Sequence, residues 1–325
     1  MLSYNEWDPL KKVIVGRADH AQIPKLDRSH HAVNYATLTD TSSVPVGPYP
    51  ESVIQEANQD LEALVDVLIK QGVEVLRPDI SHKPAYYNYC PRDTFLIHFD
   101  TILITPQPIR SRRFDYMSLD KMFLQMASDT YRYCNADFDF PDDFYNLGDP
   151  SQLALKETIP AFDAANVLRA NRDLFYLVSN TGNRKGAAWL QNLLGHDFKV
   201  WPIEGVYSYS HIDSTIALLR EGLMLLNPSR IKDKSQLPPV LQSWDVIWAP
   251  EPVDIGHYPG YDMASAWISM NLFSINPNLV ILEEHQTNLR DLLEKHKIDC
   301  IMLPGRHQRT LSGGFHCVTL DIERS

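Results

Sequence analysis

Near the end of the chain, Leu311-Ser312-Gly313-Gly314-Phe315-His316-Cys317-Val318-Thr319-Leu320 runs a glycine pair into a β-like stretch with a cysteine at the junction. That is where a nucleophilic thiol would sit. Two earlier stretches, Tyr209-Ser210-His211-Ile212-Asp213 and Phe162-Asp163-Ala164-Ala165, occupy matching places at the entrance of similar apolar hairpins. Cysteine, histidine and carboxylates in equivalent slots of one repeated unit suggest a single shared site. A cysteine is mostly thiol at neutral pH and becomes an effective nucleophile when a histidinium or a cationic substrate favours its thiolate. Histidine can then shuttle the proton that a leaving amine requires. The carboxylates Asp93, Asp163 and Asp213 point to a cationic substrate. A guanidinium presents a planar fork of N–H donors that paired carboxylates recognise, but its delocalised charge makes it a poor electrophile. Fixing it against Asp93 and Asp213, with its central carbon near Cys317, would supply orientation and charge compensation.

The spacing assigns further roles. His211 and Asp213 are two apart, so on a strand they face the same way, whereas His316 and Cys317 should face opposite ways. His211 is therefore the expected proton-transfer partner of Cys317, Asp163 its orienting group, and His316 a packed or hydrogen-bonded structural residue. Asn271 joins the set as the first residue of another hairpin. Each residue also has a plainer reading: Asp93 after Arg92 as a strand cap or surface ion pair, Asp163 as a turn residue, Cys317 as a small buried hydrophobe. Repeated placement favours the functional reading. A metal site built from His211 and the three aspartates lacks a second histidine in a matching slot, so no metal is expected.

The elements that must position these residues follow a pattern. Four times a β-rich run is closed by proline, at Val73 to Pro78, Phe198 to Pro202, Asp245 to Pro250 and Cys300 to Pro304, as suits a residue that cannot donate to a ladder. Asp137-Phe138-Asp139-Phe140-Pro141 is a weaker fifth. Ile54, Ala57, Leu61, Leu64, Val65 and Leu68 recur at helical spacing before the first run, and Leu289, Leu292 and Leu293 before the last. Hairpins are predicted from Asp93 to Thr105, Asp163 to Val178, Asp213 to Leu226 and Asn271 to Glu283. A fifth begins at Cys317, with Lys12 to Gly16 as its returning strand. The order hairpin, helix, strand closes into a ring: an α/β fold of five ββαβ modules with pseudo-fivefold symmetry. An ordinary α/β sheet of similar-looking pieces is the alternative. No linker divides the chain, which reads as a single domain, 1–325. Residues 24–50 read as a long surface loop or lid, and Ala85 to Tyr89 as an aromatic loop near the site.

The chain of 325 residues is 44% hydrophobic with a formal charge of −11, and its densest basic run is only Arg110-Ser111-Arg112-Arg113. This disfavours a phosphate-tracking groove, so no nucleic acid is expected as a partner, and a small cationic substrate fits better. No stretch approaches about 18 apolar residues and no leader pattern is present, so no membrane partner is expected and the chain reads as cytoplasmic. Cys90, Cys134, Cys300 and Cys317 are widely spaced, which disfavours a structural zinc site or a disulfide framework.

At these residues the chain resembles the arginine amidinotransferase family, which includes glycine amidinotransferase and bacterial enzymes of guanidino natural-product pathways. The resemblance rests on Glu6 to Ala18, Pro91-Arg92-Asp93, Phe162 to Ala165, His211-Ile212-Asp213, Ser269-Met270-Asn271 and Gly313 to Cys317, and spans nearly the whole chain. It implies a five-bladed α/β-propeller, or pentein, fold. It also implies Cys317 as nucleophile, His211 as general acid/base, Asp163 as its partner, and Asp93 and Asp213 as guanidinium-binding carboxylates. Arg230 and Ser265 match positions that hold the amino-acid end of an arginine donor; Ala264 departs from the glycine-using enzyme, which has a second serine there. The implied reaction is ping-pong, through an amidino-cysteine intermediate, giving ornithine and a guanidino product without metal or organic cofactor. Glycine-using relatives carry Asn and Met in place of Ser208 and Ser210, so a roomier acceptor pocket and an amine other than glycine are expected, as in natural-product and toxin pathways. Tyr207 and Tyr209 would refill part of that space. A homodimer is compatible with the resemblance. A guanidine hydrolase of the arginine deiminase type is the nearest alternative, and a noncatalytic binding protein of the same fold a more distant one.

Overall fold

The computed structural model describes residues 3–126, 132–149 and 151–325. Among these, five three-stranded sheets share one connectivity. The first joins Thr319–Arg324, Leu10–Val15 and Glu74–Leu76; the second Phe95–His98, Thr101–Ile104 and Arg132–Asn135. The third joins Val167–Ala170, Asp173–Leu177 and Lys199–Ile203; the fourth Ile216–Arg220, Leu223–Leu226 and Asp245–Trp248; the fifth Phe273–Asn276, Leu279–Glu283 and Asp299–Leu303. In each, the first two strands are antiparallel and the third runs parallel to the second. A parallel return needs a crossover, and helices at Glu51–Lys70, Met117–Met126, Arg184–Leu194, Pro239–Gln242 and Thr287–Lys295 supply it. The expected partnership of the N-terminal strand with the segment after Cys317 is present: Val15 pairs with Thr319 and Ile14 with Leu320.

Burial explains the layering. Phe95–His98 and Thr101–Ile104 are buried at every position, whereas Arg132–Asn135 and Asp245–Trp248 are largely exposed. The hairpin strands therefore face the interior on both sides, and the third strand forms an edge. Pro202 is tolerated inside Lys199–Ile203 because that strand lies at the edge of its sheet. On Glu51–Lys70 the buried Val53, Ala57, Leu61, Leu64 and Leu68 form one stripe at helical spacing.

One expectation fails here and another is incomplete. The third strand of the second sheet is Arg132–Asn135, and Asp137 to Pro141 forms no strand. The alternation there comes from Phe138 and Phe140 packing into two apolar clusters while Arg113 takes Asp137. Residues 24–50 are more than a loop. Arg28–Asn34 is a helix capped by Asp27, whose Oδ1 accepts from His30 N at 2.9 Å, and Gln22–Ile23 pairs with Gly47–Pro48. Ala32 and Val33 anchor the segment against Ile109, Phe140 and Tyr145.

Each hairpin is entered through a tight turn: Pro91–Asp93, Ala164–Asn166, Ile212–Ser214 and Ala266–Met270 are 3₁₀ turns. The first packs on the second, the second on the third, and the third on the fourth. Beneath them lies a buried ion network. Arg169 donates to both oxygens of Glu6 at 2.8 Å and to Asp321 at 2.7 Å. Asp321 also takes Arg92 at 2.6 Å and Arg324 at 2.8 Å. Burial opposes ionisation of Glu6 and Asp321, but the Arg169 guanidinium, with Arg324 and Arg92 at Asp321, holds both well below the usual carboxylate range. Such a cluster fixes geometry more than it adds net stability; here it ties Arg92, the neighbour of Asp93, to Asp321 and Glu6, and Arg92 in turn donates to the carbonyl of His316, the neighbour of Cys317.

Candidate active site

The turns, not the strands, carry the polar candidates. His211 precedes and Asp213 lies within the turn Ile212–Ser214, so their expected strand alternation does not apply. Thr215 N closes that turn on Ile212 O at 2.8 Å. Residues 314–318 likewise form a single turn, with Val318 N donating to Gly314 O at 3.0 Å. His316 and Cys317 consequently do not point apart: His316 Nδ1 lies 2.9 Å from Asp213 Oδ2, and Cys317 Sγ donates to the same oxygen at 3.4 Å. The structural role expected of His316 fits its contacts, since its Nε2 lies 3.3 Å from Glu6.

The glycine pair serves close packing. A Cβ on Gly314 would lie 2.6 Å from Asn271 Cβ, and one on Gly313 2.5 Å from Cys90 Sγ. Asn271 uses that proximity: its Oδ1 accepts from the backbone N–H groups of His316 at 2.9 Å and Cys317 at 3.0 Å. Its carboxamide thus holds the cysteine turn, and Asn271 does not line either chamber of the cleft.

His211 is gripped by carboxylates from two other turns. Nε2 lies 2.9 Å from Asp163 Oδ2 and Nδ1 3.6 Å from Asp93 Oδ1. Burial disfavours the imidazolium, but Asp93, Asp163 and Asp213 outweigh it and raise the pKa of His211 to about 9. Burial pushes Asp93 up against the pull of His211 and Arg112. Asp213, despite burial, is lowered to about 2, chiefly by its hydrogen bond to His316. The adjacent Cys90 thiol, burial and Asp213 push the Cys317 thiol well above its ordinary value. These shifts favour a neutral Cys317 thiol and a charged His211 imidazole at neutral pH.

Cys317, His211, Asp213, Ser210, Arg230 and Ser265 line one cavity of about 560 Å³, within the roughly 300–1,000 Å³ range of small-molecule sites. Asp93 and Asp163 line a narrower chamber of about 90 Å³. The two share Tyr209, Ser210, His211, Asp262, Met263 and Ser312, so they are parts of one cleft. Ser208 is outside it, exposed, with its carbonyl accepting from Asn180 N at 2.8 Å. That corrects its expected place in the pocket; Tyr207, Tyr209 and Ser210 form the wall instead.

Several residues of the cleft carried no role in the sequence. Arg112, from the basic run, is buried with Nη1 2.9 Å from Asp93 Oδ2, leaving Asp93 Oδ1 without a hydrogen-bond partner among the described residues. Its signal was its place just after the hairpin that Asp93 opens. Arg309 binds Asp254 and Asp262 and donates to Ala264 O at 2.8 Å, pinning the loop that brings Met263 and Ser265 to the cavity. Across the mouth, Tyr209 Oη donates to Asn34 O at 3.0 Å and Tyr35 Oη to Met263 Sδ at 3.6 Å. Among the described residues no group of three His, Cys, Asp or Glu side chains is arranged to hold a metal ion, and no helix is long and apolar enough to cross a membrane.

No protein-family model matches the chain. Whole-length relatives do. Inosamine-phosphate amidinotransferase 1 of Streptomyces glaucescens is 41% identical over 335 residues, covering 99% of this chain and 96% of its own. Mitochondrial glycine amidinotransferase of Gallus gallus is 31% identical, covering 99% and 82%. Among solved structures, inosamine-phosphate amidinotransferase StrB1 from Streptomyces griseus superposes with a TM-score of 0.96 at 42% identity, over 100% of this chain and 97% of its own. SxtG, an amidinotransferase from Microseira wollei in the saxitoxin biosynthetic pathway, superposes at 0.89 with 28% identity, over 99% and 97%. DDAH from Pseudomonas aeruginosa, at 0.63 and 14% identity over 96% and 99%, shares the α/β pentein fold alone.

Proposed function

This chain belongs to the amidinotransferase family, and from that premise we propose that it moves the amidino group of L-arginine to a primary amine other than glycine, in secondary metabolism. One observation carries the reading: Cys317 and His211 line a single cleft, with Asp213 bonded to the thiol and Asp163 to the imidazole. We read the five sheets as blades of one closed propeller domain, 1–325, with the Pro91, Ala164, Ile212 and Ala266 turns and the Cys317 turn meeting at its centre.

In this scheme the donor guanidinium lies against Asp93 Oδ1 and Asp213, its central carbon beside Cys317, and its carboxylate toward Arg230 and Ser265. The entering cation favours the thiolate that burial and Asp213 disfavour, so the nucleophile is activated by the substrate it attacks. The thiol proton leaves to solvent through the cavity. Sulfur then bonds to the guanidinium carbon, and His211, charged at neutral pH, protonates the departing ornithine nitrogen. A second amine gives a proton to the now neutral His211, bonds to the amidino carbon and displaces Cys317. Water attack at the intermediate would end in hydrolysis; the contacts of Asn34 and Tyr35 across the mouth support its exclusion.

Incubation with labelled arginine tests this. Ornithine formed only with an added amine, and an amidino group on Cys317 in its absence, are the expected results. Citrulline with ammonia would mean a hydrolase. Within an amine panel glycine should not give the highest turnover, because the wall at Ser210 replaces a larger methionine of glycine-using relatives.

A further inference from the structure

We infer that His316 is a positioning residue for amidino transfer: it acts through Asp213, holding that carboxylate against the Cys317 thiol and in place for the donor guanidinium. The inference rests on the transferase reading and adds a residue to the machinery of that site. His316 lines neither chamber of the cleft, so it reaches the reacting atoms only through a neighbour. Asp213 is that neighbour. It lines the cavity, and its Oδ2 lies 2.9 Å from His316 Nδ1 while accepting from Cys317 Sγ at 3.4 Å. Burial opposes ionisation of Asp213, but its hydrogen bond to His316 leads the contacts that bring its pKa down to about 2. An ionised carboxylate only accepts, so the Nδ1 edge of His316 is the donor.

The imidazole is itself held from several directions. Its Nε2 lies 3.3 Å from Glu6 Oε2, and both oxygens of Glu6 take the Arg169 guanidinium at 2.8 Å. The backbone N–H of His316 donates to Asn271 Oδ1 at 2.9 Å, and its carbonyl accepts from Arg92 Nε at 2.7 Å. One edge of the ring is thus anchored to the buried ion network and the other is presented to one carboxylate. This gives Asp213 a fixed donor that does not depend on substrate. Without it, the carboxylate is free to turn away from the sulfur and from the carbon that the sulfur attacks. A misplacement of about 1 Å between reacting groups costs about 100-fold in rate.

Two replacements separate the edges of the ring. Glutamine places its amide nitrogen where Nε2 stands, keeping the tie to Glu6 and removing the donor to Asp213; asparagine places its nitrogen where Nδ1 stands and does the reverse. The full-length wild type, His316→Gln and His316→Asn are mixed with saturating labelled arginine below their melting transitions, and amidination of Cys317 is followed by mass spectrometry in a single turnover. His316→Gln should be about 10- to 100-fold slower than the wild type, the equivalent of a hydrogen bond to a charged group. His316→Asn should recover most of that rate although it melts no higher than His316→Gln. A merely structural role would make the rates follow the melting temperatures. In an Asp213→Asn background His316→Gln should add less than about twofold, because the residue it acts through is already altered. In the wild type, heteronuclear NMR of the imidazole nitrogens should show a proton on His316 Nδ1, a result that needs no variant to fold. Equal rates in the two His316 variants, full additivity with Asp213→Asn, or an Nδ1 without a proton overturns the inference. If arginine leaves no amidino group on wild-type Cys317, the transferase reading itself falls and takes this inference with it.

Discussion

Asp163 holds His211 by its Nε2 edge at 2.9 Å, although the two residues are 48 positions apart and enter different sheets. The carboxylate both orients the ring and helps raise its pKa to about 9. Asp163→Asn keeps the shape but removes the charge. The alkaline limb of ornithine release should then move down by about one to three pH units, with a loss of about 100-fold or more at neutral pH. A single-turnover pH profile checks this; an unmoved limb would mean that Asp163 does not tune His211.

The same shift affects folding. His211 titrates near 6.5 when unfolded and near 9 when folded, so between those values the folded chain keeps a proton that the unfolded chain has lost. Its contribution, about 3 kcal/mol at most, is complete below pH 6.5 and disappears as pH rises through about 9. The stability difference between the wild type and His211→Asn should therefore narrow across that window in denaturant titrations. A constant difference would contradict the assignment.

Gly314→Ala places a methyl 2.6 Å from Asn271 Cβ and 2.9 Å from its carbonyl oxygen. Overpacking of this kind costs about 1–3 kcal/mol. It should also displace the Asn271 carboxamide from the N–H groups of His316 and Cys317, so transfer should fall further than stability alone explains. Unchanged melting and full activity would show that the close approach is dispensable.

Arg169→Met leaves Glu6 buried without its two-oxygen partner and takes one of three guanidinium groups from Asp321. Breaking such a pair costs about 3–5 kcal/mol. Arg169→Lys should recover little, because one ammonium cannot reach Glu6, Asp321 and Ile97 O together as the fork does. Chemical denaturation of both variants decides the point; a fully stable lysine variant would argue against fork geometry as the organising feature.

Much of the fold was legible because its signals are local. Strands closed by Pro78, Pro250 and Pro304, the stripe from Ala57 to Leu68, and the hairpins that follow Asp163 and Asp213 each follow from backbone chemistry within a few residues. Arg28–Asn34 was not legible, since seven residues carry too little periodicity and its stability comes from the Asp27 cap and the apolar cluster beneath. Asp137 to Pro141 misled because aromatic anchoring produces the same alternation as a strand.

For the site, the residue types and their repeated slots before the hairpins were enough to select Cys317, His211, Asp163, Asp93 and Asp213 from the sequence. Which of them touch was decided only in three dimensions, because tight turns replaced the expected strand ends and brought His316 and Cys317 to the same oxygen of Asp213. Partnerships across 19 to 46 residues, such as Arg112 with Asp93 and Asn271 with the Cys317 turn, leave no periodic trace in a chain. They depend on how separate sheets pack, and that packing turns a dispersed set of polar side chains into one cleft.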